Sequence, residues 1–121
     1  VSLLVVGSVA FDCLESPYGK VERALGGAAT YFAVAASHFT HVNLVGIVGD
    51  DFTSKDAEIF RGRTIDIEGL ERAAGKTFFW SGRYSENLNE RITLVTDLNV
   101  FADFKPKLPE KYRKSKHVFL A

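Results

Sequence analysis

Two short stretches of the chain hold the residue types from which a site for a hydroxylated small molecule can be built. In Gly7-Ser8-Val9-Ala10-Phe11-Asp12, an aspartate follows the glycine that closes an apolar run. If that run is a strand of a parallel sheet, Asp12 lies at the carboxyl edge, where open α/β sheets bind their ligands. A carboxylate there can accept hydrogen bonds from two neighbouring hydroxyls of a polyol; equally, a turn aspartate can be satisfied by backbone N–H groups. In Leu25-Gly26-Gly27-Ala28-Ala29-Thr30, paired glycines precede an alanine-rich segment. Lacking Cβ atoms, Gly26 and Gly27 would let backbone amides approach a ligand, and a helix N-terminus adds partial positive charge. A tight connection into a buried helix would call for the same glycines. Gly49-Asp50-Asp51 closes a second apolar run and is read as helix-capping acids in preference to hydroxyl or metal ligands.

Other signals serve mainly to exclude. Neither glycine site continues as Gly-Lys-Ser/Thr or as Gly-x-Gly-x-x-Gly, so the P-loop and Rossmann fingerprints are both absent. His38, His41 and His117 have no ligand spacing with Cys, Asp or Glu, and no metal site is predicted. No residue is assigned a catalytic role. The single cysteine, Cys13, has no histidine partner nearby in sequence, and fits a reducing, cytoplasmic setting. Fifteen Lys+Arg balance fifteen Asp+Glu, which argues against nucleic acid or an anionic membrane as partner. The six Lys/Arg between 105 and 117 read as a solvated face. No apolar stretch approaches the ~20 residues of a membrane span, and no secretory signal is visible.

The elements that would position these residues follow from periodicity. Residues 2–7 and 42–49 are continuous apolar runs of the kind buried on both faces of a parallel sheet. Between them, 28–39 is alanine-rich and apolar nearly all round, which predicts a buried helix and hence a βαβ unit. Residues 11–25 form a hairpin about Ser16-Pro17-Tyr18-Gly19, and 77–97 form a second, aromatic-rich hairpin about residues 85–89. A polar helix is expected over 54–61 with Thr53 and Asp56 as a capping pair. A short strand and turn follow at 65–70, then a basic helix over 110–116, and a closing apolar strand at 117–121. The aromatic hairpin with Phe78, Phe79, Trp80 and Tyr84 could cover a ligand or face another subunit. The absence of Met, and an apolar strand with no polar tail after it, predict that these residues were cut from a longer chain.

The order of these signals (strand, Gly-Ser-x-x-x-Asp, hairpin, Gly-Gly, alanine-rich helix, strand, Gly-Asp-Asp, hairpin) resembles the N-terminal part of the PfkB carbohydrate kinase family, the ribokinase-like sugar and nucleoside kinases. The resemblance runs along essentially the whole chain and is most specific from Val5 to Phe52. It implies an α/β fold in which 1–121 is the N-terminal part of one domain. That part would hold a parallel sheet with crossover helices, plus a small antiparallel β lid from about 11–25 and 77–97. It implies transfer of the γ-phosphoryl group of ATP, with Mg²⁺, to a hydroxyl of a sugar or nucleoside. It places substrate binding on Asp12, Gly26 and Gly27, puts Asn99 at the return from lid to core, and allows a homodimer through the lid.

Three positions depart from the ribokinase pattern. Polar sugar contacts are replaced by Ala10, Ala28 and Tyr31, which points away from ribose. Tyr31 and Phe11 would instead stack against a flat or apolar ligand, as in an adenosine-kinase-like specificity. The family's Gly-Ala-Gly-Asp anion hole and catalytic aspartate do not occur in these residues, so this chain alone is expected to be inactive. Two other readings stand beside this one: an inert ligand-binding or dimerisation module of the same fold, and a Rossmann-like nucleotide-binding domain.

Overall fold

Apolar runs at the two ends and in the middle of the sequence meet side by side in one sheet. The computed structural model describes residues 2–121. Its strands are β1 (Ser2–Val6), β2 (Ala10–Ser16), β3 (Gly19–Gly26), β4 (His41–Val48), β5 (Ile65–Arg72), β6 (Phe78–Tyr84), β7 (Arg91–Asp97) and β8 (His117–Leu120), with helix α1 (Ala28–Ala36) after β3. The first sheet has the order β5-β4-β1-β8 and every pair in it is parallel. The second has the order β3-β2-β6-β7. Its two hairpins are antiparallel, and they join through a parallel pairing of β2 with β6.

Strand alternation sorts the core into two layers. Val5 of β1 and Val42, Leu44 and Val48 of β4 pack with Ala29 and Ala33 of α1, with Phe11, and with Phe52 and Phe60. Leu4 and Val45 point the other way, onto the fully buried Tyr112. Phe32 of α1 stacks on Phe119 of β8 with ring centres 3.6 Å apart.

Several expectations change here. The alanine-rich helix ends at Ala36, and the chain turns at Ser37–Phe39. It buries one side only: Ala29, Thr30 and Ala33 are covered while Ala28, Tyr31 and Ala35 are exposed, since α1 packs on the first sheet along a single face. The polar helix is a single 3-10 turn, Asp56–Ile59. Thr53 and Asp56 do form the reciprocal pair at its start, with Thr53 N–H donating to Asp56 Oδ2 (2.8 Å) and Asp56 N–H to Thr53 Oγ1 (3.4 Å). Gly62, at φ 72°, turns the chain out of the helical path soon after. The basic helix is likewise a 3-10 turn, Glu110–Lys114, whose Tyr112 drives into the core. In place of a short strand and turn, β5 is a full parallel partner of β4. No helix among the described residues is long and apolar enough to cross a membrane.

Candidate functional site

β1 stops at Val6, and Gly7-Ser8-Val9 carries the chain from the first sheet into the second. Ser8 ties this crossing to α1. Its Oγ accepts the N–H of Ala28 (3.0 Å) and its carbonyl accepts the N–H of Ala29 (3.0 Å). The first turn of α1 is therefore capped from another segment, because its own N-cap, Gly27, has no side chain to do so. Gly27 sits at φ 93°, and a Cβ on it would collide with the Ser8 carbonyl.

Along β2, neighbouring residues face opposite ways. Phe11 turns into the core, 3% exposed, against Phe52 and beneath the Arg23 guanidinium at 3.7 Å. Phe11 therefore does not reach the face that Asp12 occupies, and its ring is not available to a ligand there. Asp12 turns to the opposite face, next to its β6 register partner Trp80. That face, the start of α1 and the Ser8 loop enclose a cleft of about 470 Å³. Asp12, Gly27, Tyr31, Trp80, Tyr84 and Arg91 line it, with the methyl groups of Ala10 and Ala28 between them.

The Asp12 side chain is the unusual group here. It is 9% exposed, yet its carboxylate makes no hydrogen bond and no ion pair with any described residue. The backbone N–H groups that would satisfy a turn aspartate are not supplied. Burial without a donor pushes its pKa up. Gly26 lies directly against the carboxylate, so that a Cβ there would overlap Asp12 Oδ2 and come within 3.2 Å of the Tyr31 hydroxyl. The glycine pair thus admits the carboxylate at Gly26 and the close-passing Ser8 loop at Gly27. The Tyr31 phenol is held protonated by burial first, then by the negative charge of Asp12 and by Tyr84.

Asp50 and Asp51 act at the opposite face of the second sheet, and they cap no helix. Asp51 Oδ1 accepts from Thr77 Oγ1 (2.6 Å) and from Thr77 N–H (2.9 Å), while Thr77 Oγ1 in turn accepts from Gly49 N–H (2.9 Å). Asn99 lies where the chain leaves β7. It adopts φ 51° and donates from its side chain to the Thr77 carbonyl (2.9 Å). Arg91 had no distinguishing signal in the sequence. It enters the cleft because it pairs with Tyr84 across the β6–β7 hairpin. Among the described residues no group of three or more His, Cys, Asp or Glu is placed to hold a metal ion.

Neither a protein-family model nor a curated protein sequence matches the chain. Solved structures do match it in fold. Ribokinase from Cryptococcus neoformans var. grubii serotype A, in complex with ADP, superimposes with a TM-score of 0.71 at 20% identity, over 98% of this chain and 40% of that one. The nucleoside kinase of Methanocaldococcus jannaschii, an archaeal member of the ribokinase family, gives 0.72 at 18% identity, over 98% of this chain and 44% of that one. Burkholderia thailandensis nucleoside kinase in complex with inosine gives 0.69 at 16% identity, over 80% and 37%. The fold is thus that of the ribokinase-like sugar and nucleoside kinases. This chain spans less than half the length of the structures it matches.

Proposed function

We propose that this chain supplies the acceptor-binding part of an ATP-dependent sugar or nucleoside kinase. The observation that carries the reading is the covered, unpartnered Asp12 carboxylate facing a cleft in a ribokinase-like fold. An ionised carboxylate accepts only, and it can take two hydrogen bonds from a vicinal diol, fixing the acceptor so that a remaining hydroxyl is presented for phosphorylation. ATP with Mg²⁺ would bring the phosphoryl group and the charge neutralisation. The Gly-Ala-Gly-Asp run that the resemblance assigns to this work does not occur in these residues, and we infer that this chain binds acceptor without transferring phosphate on its own. The second sheet acts as a lid over the acceptor. Exposed Val21, Leu88, Ile92 and Leu94 on it support a homodimer formed through that sheet, and the free thiol of Cys13 fits the cytoplasm.

Asp12→Ala tests the assignment. Two hydrogen bonds to a charged acceptor contribute about 1.5–3 kcal/mol each, so acceptor affinity in the full chain should fall roughly 100-fold or more while nucleotide affinity is retained. Affinity in the parent should also decline as pH drops through a range where an ordinary aspartate is still ionised, since the raised pKa brings the accepting carboxylate to protonation earlier. An acceptor KM and kcat unchanged in Asp12→Ala would remove the reading.

A further inference from the structure

We propose that the acceptor of this cleft is a nucleoside: Asp12 takes the ribose diol, and the base lies flat on the indole of Trp80, with Tyr31 and Tyr84 around it. This rests on reading the cleft as the acceptor site. The argument begins at Gly82, two residues beyond Trp80 on the same face of β6. A Cβ on Gly82 would run into the six-membered ring of the Trp80 indole, with its Cζ2 and Cζ3 at 2.6 and 2.8 Å. The indole therefore lies down along the strand over a residue with no side chain, and it lines the cleft. The Arg91 guanidinium carbon stands 5.8 Å from the ring centre, within range of a cation–π contact, and it makes no ion pair among the described residues.

The polar groups of the cleft decide between a free sugar and a nucleoside. At the Asp12 end the flanking positions are Ala10, Gly27 and Ala28, which offer a hydroxyl nothing from their side chains. Ser8 Oγ accepts the Ala28 N–H, which leaves its O–H as a lone hydroxyl donor at that end. A free pentose or hexose carries hydroxyls around its whole ring, and each one desolvated against a methyl group or an aromatic face loses water without replacement. A nucleoside concentrates its sugar polarity in one vicinal diol and one primary hydroxyl, and beyond them presents π-faces. Asp12 and Trp80 are register partners on adjacent strands, about 5 Å apart across the sheet. That spacing sets a diol on the carboxylate and its attached ring on the indole at the same time.

Trp80 is the only tryptophan among these 121 residues, and the difference in emission between the full chain and its Trp80→Phe variant reports occupancy of this face. Inosine, adenosine and uridine are titrated against the full chain beside ribose and fructose, with affinities confirmed by calorimetry. Nucleosides should change the emission saturably, at concentrations at least 100-fold below any free sugar. Trp80→Ala and Gly82→Ala, the latter displacing the indole without deleting it, should each weaken nucleoside binding roughly 10- to 100-fold, the range of one base-stacking contact. Free-sugar binding should stay unchanged in both. Ribose binding as tightly as inosine, or an unchanged inosine affinity in Gly82→Ala, overturns the proposal. If free sugars bind and only Asp12→Ala abolishes it, the acceptor site stands and the nucleoside assignment falls. If nothing of either class binds, both fall.

Discussion

A buried polar side chain costs free energy unless something in the structure or a ligand meets it. Two of the described residues show the contrast, and their surroundings separate a functional cost from a merely local one. Asp12 is covered but borders an open cleft, so an acceptor can supply the missing donors. Thr30 sits in the first turn of α1, 1% exposed, and its Oγ1 has no hydrogen-bond partner among the described residues. It does not line the cleft. Thr30→Val keeps the shape and removes the hydroxyl, and recovers a desolvation cost of about 1–3 kcal/mol at most. The melting temperature should therefore rise by a few degrees with acceptor affinity unchanged. A fall in melting temperature, or loss of acceptor binding, would show instead that the hydroxyl is in use.

At the scale of elements, the least obvious contribution comes from the 3-10 turn Glu110–Lys114. Its Tyr112 hydroxyl donates to Asp66 Oδ1 (2.6 Å) and accepts the N–H of Gly69 (3.0 Å), pinning β5 to the sheet. The ring lies so close to Gly69 that a Cβ there would meet its Cε2 at 2.6 Å. Burial pushes the Asp66 carboxyl up, but donors from Lys111, Tyr112 and the Glu68 N–H outweigh it and bring it down to about 2. A depressed carboxylate stabilises the fold above its unfolded pKa of 3.8, and that stability is lost as pH falls towards about 2. Since Asp66 is partly solvated, the contribution is on the order of 1 kcal/mol after screening. Tyr112→Phe should cost about 1–3 kcal/mol by stranding the Gly69 N–H. It should also shift the acid limb of a stability-against-pH curve upwards, because one donor to Asp66 is gone. An acid limb that stays in place would detach Tyr112 from Asp66. None of this could be read along the sequence. β1, β4 and β8 are apolar runs and identify themselves, whereas β5 is interrupted by Asp66, Glu68 and Glu71, which serve Lys111 and Lys107 beyond the sheet edge. Asp12 and the glycine pair stood out through local spacing. Gly82 and Arg91 acquire meaning only when β2 and β6 pair, 68 residues apart at Asp12 and Trp80.

At the scale of the molecule, the cleft has walls from both halves of the fold, so its geometry depends on how firmly the second sheet is held to the first. The ties lie on the face away from the cleft. Arg23 of β3 clasps Asp56 through both nitrogens (2.9 and 3.1 Å), and reaches the Asp51 carbonyl as well. Burial works against the Asp56 carboxylate, but Arg23 and Thr53 more than offset it and lower its pKa. Asp51 holds Thr77, which is 1% exposed at the entry to β6, and Asn99 holds the carbonyl of the same residue. Arg23 and Asp56 meet near the surface, where an ion pair contributes about 1 kcal/mol or less. The Asp51–Thr77 pair is half-buried and charge-assisted, worth about 1.5–3 kcal/mol per bond, so it is the stronger tie. Asp51→Ala should therefore act on the second sheet selectively. Amide hydrogen exchange should accelerate in β6 and β7, by roughly 10-fold or more for a loss above about 1.4 kcal/mol. Amides of β1 and β4 should keep their protection. Acceptor affinity should fall several-fold although Asp51 does not line the cleft, because Trp80 and Tyr84 would no longer be held against Asp12 and α1. Uniform acceleration across both sheets would mean that the two unfold as one unit and that Asp51 contributes only to global stability. Unchanged exchange in β6 would mean that Arg23 and Asn99 suffice to hold the sheet.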